Sequence, residues 1–309
     1  MDEIAQAIEK AIVDDAGRSE LAGAKINLAL HITGRRADGY HLIESLVVFA
    51  DYADVVSAAP SEDGRMRLTV KGPFAASLAG ATQAADNLTI GAATALAATA
   101  GRKKLPPMKL TLTKRIPIAA GLGGGSADAA AALRLLNREW GLKLGEAKLA
   151  EIGRTLGADV PMCVFSRPLV AKGIGEAITP VVGIPPLPIV LAHPGVAVST
   201  TAVFAALGQA ERSPLPALPK RFGSLLDVIG WLRQARNDLA GPAATVSKHA
   251  SAAAKALISD TECLFARMSG SGAAAFGVFV TMDAAERAAA RLREAKPGWW
   301  VITAKTRPS

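Results

Sequence analysis

The sequence predicts a mixed α/β (α+β) protein in two domains, and three observations carry that expectation. At 309 residues the chain is long enough for two hydrophobic cores. Its first half alternates strand-like and helix-like patterns around a run of glycines. Its end reads strand, turn, strand, helix, strand, which suits a compact α+β domain.

Taken in order, AKINLALHI (24–32) places Ile26, Leu28, Leu30 and Ile32 on one face and Lys25, Asn27, Ala29 and His31 on the other, the period of a half-buried strand. GRRADGYH (34–41) is a turn-rich loop, and 45–58 and 66–70 read as further strands. From Asn87 to Ala100 the pattern is helical and rich in alanine. MKLTLT (108–113) alternates again, and a strand therefore runs up to the glycines. Behind them Ser126 reads as an N-cap and Asp128 as a first-turn residue of a helix reaching about Trp140. Another helix spans 145–157. In the second half, PPLPIVLAHPG (185–195) is a proline-punctuated strand, with helical patterns near 199–208 and 243–257. LFARMSGSGAAAFGVFV (264–280) is two apolar runs around a small-residue turn, followed by a helix over 284–295 and a strand over 299–306.

The glycine run is the strongest chemical signal. Gly121, Gly123, Gly124, Gly125 and Ser126 fall within six residues, directly ahead of the alanine-rich helix. A helix N-terminus presents unpaired N–H groups, and glycine lets them approach an anion closely. No Lys-Ser/Thr pair closes the run, so it is not a Walker A loop, and KRIP (114–117) separates it from its strand, unlike a dinucleotide fingerprint. A phosphate cradle remains. Phosphoryl transfer also needs a cation and a group that orients the attacking hydroxyl. Lys25 on the first strand and Asp159 in GADVPMCVF (157–165) are candidates, although such a lysine is usually a solvent-face residue and such an aspartate usually a cap.

The bulk numbers set limits. The net charge of +8 is scattered, with RKK (102–104) the longest basic run and aromatics scarce, which favours anionic small molecules over nucleic acid. No uncharged apolar run reaches the ~18 residues of a membrane span. Cys163 and Cys263 lie in apolar contexts without metal-ligand spacing and read as buried thiols in a reducing compartment, implying a cytoplasmic protein. The first twenty residues lack the apolar core of a signal peptide and read as a short amphipathic extension. His193 and His249 carry no motif and read as structural or exposed, and His31 is left unassigned.

AKINLALHITGRRADGYH (24–41), PIAAGLGGGSADAA (117–130), GADVP (157–161) and MSGSGA (268–273) together resemble, in order, the signature blocks of the GHMP kinases. The D-G-Y-H loop resembles the members that act on a cytidylylated alcohol. The resemblance implies a ribosomal-protein-S5-like N-terminal domain (1–176, with 1–20 as an extension) and a ferredoxin-like C-terminal domain (177–309) flanking a cleft. It implies ATP as co-substrate with Mg2+, and transfer to the 2-hydroxyl of 4-diphosphocytidyl-2-C-methyl-D-erythritol in isoprenoid precursor synthesis. Lys25 and Asp159 then correspond to the catalytic pair, Asp159 accepting the hydroxyl proton. Pro117, Ala120, Gly121, Leu122, Gly123, Gly124, Gly125, Ser126 and Ala127 correspond to the ATP-phosphate loop, with Asn87 and Lys114 near the adenosine. Tyr40, His41 and Phe204 correspond to the cytidine site, and Asn27 to a polar substrate contact.

Ala127 stands where the family commonly has a second serine, and Asp128 so close to a triphosphate is repulsive unless a cation intervenes or its side chain turns away. The metal ligands therefore stay open. Expected partners are a small-molecule substrate, with no nucleic acid and no membrane, in a monomer or homodimer. The rival readings are a sibling kinase for homoserine or mevalonate, and a catalytically silent binding module of the same fold.

Overall fold

The computed structural model describes residues 18–78, 87–99, 101, 105–208 and 213–309. The N-terminal extension up to residue 17 and the RKK run lie outside the described residues. Two long strands, β1 (Ser19–Arg35) and β2 (His41–Pro60), pair with each other around the GRRADGYH loop. That loop closes through Arg36 N donating to Tyr40 O (2.7 Å) and Gly39 N donating to Arg36 O (3.0 Å), with Gly39 at φ +92°. A side chain at that φ is strained, hence the glycine of D-G-Y-H.

The chain forms two compact units. The first takes the described residues of 1–23, 53–116 and 124–165. Here the second half of β2 runs antiparallel to β4 (Met108–Thr113), and β3 (Arg67–Lys71) lies parallel to β4. A parallel pair needs a crossover, and α1 (Leu88–Thr99) lies within it. Asn87 Oδ1 accepts from Thr89 N (2.9 Å) at the start of α1, the local hydrogen bond that makes asparagine a good helix cap. Helix α2 (Gly124–Glu139) buries Ala129, Ala130, Ala131, Ala132, Leu133, Leu135 and Leu136. Helices α3 (Glu146–Arg154) and α4 (Val160–Phe165) complete the unit, and Gly153 permits their close approach, since a Cβ there would stand 2.8 Å from Val160 Cγ1.

The second unit takes the described residues of 24–52, 117–123 and 166–309. The first half of β2 pairs antiparallel with β5 (Leu169–Gly173), and β5 with β6 (Ala177–Pro180). A separate antiparallel sheet has the order β10-β7-β9-β8, from β7 (Pro188–His193), β8 (Phe265–Met268), β9 (Ala275–Val278) and β10 (Trp300–Lys305). Helices α5 (Thr200–Ala205), α6 (Leu225–Gln234), α7 (Ala240–Val246) and α8 (Ala252–Ile258) lie between β7 and β8, and α9 (Met282–Ala295) between β9 and β10. Four strands in the order 4-1-3-2 with helical crossovers are the ferredoxin-like arrangement anticipated for this half. Its core joins Val190, Ala192, Leu257, Phe279, Ala285 and Ala289.

Several local expectations change. The strand over 24–32 is not half-buried: every residue from Ala22 to Ile32 is buried, so its polar face is covered as well. Helix α2 begins at Gly124, which makes Ser126 a residue inside its first turn rather than its cap, and puts Asp128 beyond that turn. The pattern near 243–257 divides into α7 and α8, since Ser247 leaves helical geometry at φ −146° and ψ 120°. Helix α6 was not anticipated; Ser224 caps it by accepting from Asp227 N (3.2 Å). The helix expected to end at Gly157 stops at Arg154. Cys163 is buried but Cys263 only partly so, its Sγ donating to Phe265 O (3.3 Å).

Candidate active site

In the second unit the covered polar face of β1 is the organising feature. Lys25 is 5 % exposed, Asn27 2 % and His31 1 %. Burying such groups is costly without partners, so what covers them matters. Lys25 N donates to Leu122 O (2.9 Å), binding the strand to the glycine segment. Gly123, at φ +64°, lies against the Lys25 side chain, and a Cβ there would stand 3.1 Å from both Lys25 Cβ and Cε. Gly121 (φ +79°) has still less room, because a Cβ would stand 2.5 Å from Ser269 O and 2.9 Å from Gly272 N.

The SGSG turn (269–272) thus packs directly on the glycine segment. Ser269 Oγ donates to Gly121 O (3.0 Å) and accepts from Asn27 N (3.2 Å). Asn237 Nδ2 donates to Met268 O (2.9 Å) and Gly270 O (2.8 Å), holding the turn in place. The Asn27 side chain donates through Nδ2 to Ser45 Oγ (2.7 Å), which donates on to Ala29 O (2.7 Å). Asn27 Oδ1 is buried with no hydrogen-bond partner among the described residues, an acceptor left for something else. His31 has a structural place: its Nε2 accepts from Arg236 N (2.8 Å), and Nδ1 lies 3.0 Å from the carbonyls of Ser213 and Pro214.

Of the aromatic candidates, His41 and Phe204 come together, their ring centroids 5.6 Å apart. Phe204 also leans on the core formed by Leu30, Ile32, Val198 and Val203. His41 Nε2 is buried and unpartnered among the described residues, while Tyr40 next to it is 61 % exposed. The two rings tilt by 32° to each other, and with the exposed Tyr40 and the unpartnered ring nitrogen they are groups able to stack on and hydrogen-bond a planar ligand.

In the first unit the predicted residues Asn87 and Lys114 are both buried. Asn87 caps α1, as described. The Lys114 ammonium is held between two carboxylates, Asp54 Oδ2 and Asp128 Oδ2, the latter at 2.7 Å. Burial alone lowers the Lys114 pKa, but the two carboxylates more than offset it, and the net shift is upward. Burial, with repulsion from Asp54, also raises the Asp128 carboxyl, to about 8, against the attraction of Lys114. The Asp128 side chain is buried against the Lys114 ammonium. Asp54 was not anticipated; the one local sign was an aspartate inside the apolar run SLVVFADYADVVSA. Asp159 is half-buried immediately ahead of α4, and its carbonyl accepts from Cys163 N (3.2 Å). Ala127 is 2 % exposed within α2, and Gly125 is exposed at its start.

Family models agree with this architecture. Residues 87–167 match the GHMP kinases N terminal domain and residues 216–298 match GHMP kinases C terminal. A curated relative from Chelativorans sp. (strain BNC1), named 4-diphosphocytidyl-2-C-methyl-D-erythritol kinase, is 44% identical over 289 residues, covering 94% of this chain and 96% of its own. This chain belongs to the GHMP kinase family. The crystal structure of a 4-(cytidine 5'-diphospho)-2C-methyl-D-erythritol kinase superposes on this GHMP kinase with a TM-score of 0.73 and 31% identity, over 94% of this chain and 100% of that one. Homoserine kinase from Cytophaga hutchinsonii gives a TM-score of 0.69 over 94% and 95% of the two chains, but at 17% identity it is similar in fold alone. No helix among the described residues is long and apolar enough to cross a membrane.

Proposed function

We propose that this GHMP kinase transfers the γ-phosphoryl group of ATP to the 2-hydroxyl of 4-diphosphocytidyl-2-C-methyl-D-erythritol, a step of isoprenoid precursor synthesis in the cytoplasm. The observation that carries the reading is the 44% identity, over nearly the whole of both chains, to a relative of that name. The aromatic group on the D-G-Y-H loop supports the cytidine part: His41 and Phe204 pair at 5.6 Å beside an exposed Tyr40.

In this mechanism the hydroxyl oxygen attacks the γ-phosphorus, its proton passes to Asp159, and ADP leaves. Lys25 supplies the cation that steadies the transferred charge. The segment Pro117 to Ala127 wraps the phosphates, through backbone N–H groups from Ile118 onward, with Asn87 and Lys114 on the adenosine side and Asn27 toward the alcohol. The unpartnered Asn27 Oδ1 supports that last role. ATP would be bound as its Mg2+ complex, the ion supplying charge neutralisation at the phosphates. Among the described residues no group of three or more His, Cys, Asp and Glu side chains could hold a metal by itself. The phosphate segment and the catalytic pair belong to residues 1–176 and the ferredoxin-like half to 177–309, in a monomer or homodimer that binds no nucleic acid.

The test is ADP release with ATP, Mg2+ and the cytidylylated alcohol, with homoserine and mevalonate as controls. Turnover with the cytidylylated alcohol alone is expected; turnover with a control alone overturns the substrate. Asp159→Asn is expected to fold and bind ATP while losing at least ~10²-fold in kcat, the usual scale for a positioned base.

A further inference from the structure

Two carboxylates and one ammonium are enclosed in the first unit: Asp54 is 0 % exposed, Lys114 2 % and Asp128 3 %. Their connections reach three chain elements. Asp54, on β2, accepts at Oδ1 from the backbone N–H of Arg115 and of Ile116 (2.8 Å), so it grips the chain where it leaves β4 toward the glycines. Its Oδ2 holds the Lys114 ammonium, which reaches on to Asp128 Oδ2 (2.7 Å) in α2. Gly124, the first residue of α2, lies over this cluster: a Cβ there would stand 3.0 Å from Lys114 Nζ, 3.5 Å from Ile116 Cγ2 and 3.7 Å from Asp54 Oδ2. Asp128 Oδ1 has no partner among the described residues.

Stability is a poor reason for such a cluster. Buried ion pairs are often replaceable by apolar groups without loss, and this one leaves a carboxylate oxygen unsatisfied. It does fix geometry, because it ties β2, the exit of β4 and the start of α2 to one charged point. We propose that Asp54, Lys114 and Asp128 form a positioning cluster that presets the first turn of α2 and the chain leading into it for ATP, and so sets KM for ATP rather than kcat. This rests on the kinase reading above. A turn held in place before the nucleotide arrives avoids the ordering cost of binding, and small misplacements of such donors are costly. The Lys114 ammonium, occupied by two carboxylates, acts on the nucleotide through this cluster.

Two variants test it from opposite ends. Asp128→Leu cuts the cluster from α2 while leaving Asp54 and Lys114 a charge-balanced pair. Asp54→Asn keeps an acceptor for the two backbone amides but removes the charge that holds Lys114. Each is expected to raise KM for ATP about tenfold, with kcat at saturating ATP falling less than about threefold and KM for the alcohol unchanged. A core residue of purely structural importance would lower the thermal midpoint without producing that split. Should Asp54→Asn fail to fold, Asp128→Leu decides. Folded variants with KM for ATP within twofold of the wild type overturn the proposal. MgATP binding by calorimetry separates the two readings. A wild-type protein that binds MgATP but phosphorylates no alcohol overturns only the kinase assignment, and the cluster is then judged by the same tenfold change in Kd. A wild-type protein that binds no MgATP overturns both.

Discussion

Between Ala22 and Ile32 strand β1 is as enclosed as β7, but it carries far more polar chemistry. β1 is buried without interruption from Ala22 to Ile32 and carries Lys25, Asn27 and His31 inside. β7, Pro188–His193, is buried throughout and apolar until its closing histidine. His193 accepts from Gly195 N (3.3 Å) through Nδ1, and burial lowers its pKa, so it stays neutral rather than carrying charge inside. The β7 residues do what hydrophobic burial rewards, and Val190 and Ala192 join the main core of their unit. The β1 polar residues gain nothing from burial itself; each is held by a specific neighbour, such as Ser45 and Ser269 around Asn27. A strand that keeps costly groups inside and surrounds them with partners is built for positioning, whereas one that keeps only apolar groups is built for stability.

That contrast can be broken in a definite order. The largest effect is expected on β7: Leu191→Ala, at a position 0 % exposed, should cost about 2–5 kcal/mol by removing packed methyl groups and leaving a cavity. Chemical denaturation measures this, and kcat of the protein still folded should be unchanged. On β1 the pattern inverts. Lys25→Met is expected to lower kcat at least ~10²-fold, about 2.7 kcal/mol in the barrier, with a far smaller shift in the denaturation midpoint than Leu191→Ala. If Lys25→Met unfolds the protein as readily as Leu191→Ala does, the lysine is structural and the contrast fails. A smaller effect is expected at the exposed Tyr40. Tyr40→Ala should raise KM for the cytidylylated alcohol about tenfold, on the scale of one base–aromatic stack, and leave stability and KM for ATP alone. An unchanged alcohol KM would remove Tyr40 from the base site and leave His41 and Phe204 to form it.

The strands at 24–32, 108–113 and 299–306 and the helices at 88–99 and 284–295 were legible because their signals are local. Alternation, alanine content and capping residues act within a few positions, and the backbone obeys them wherever it lies. The blocks that resemble GHMP kinases were legible for a related reason: turns such as D-G-Y-H and S-G-S-G need particular residues at particular φ angles. Gly39 at +92° and Gly272 at +82° show that requirement.

Helix α6 escaped because its helical pattern is short and follows proline-rich sequence, and the cap at Ser224 identifies it only once its hydrogen bond to Asp227 N is seen. The burial of β1 escaped because alternation reports two faces, not what covers each. By itself, then, the sequence determined most of the elements, several of their turns and, through its motif blocks, the family resemblance that implied a ferredoxin-like closing half. Only the tertiary structure decided that the polar face of β1 is covered, that His41 meets Phe204, and that Asp54 grips residues sixty positions away. Those pairings depend on contacts distant in the chain, where periodicity carries no information and burial assigns a polar residue its partner.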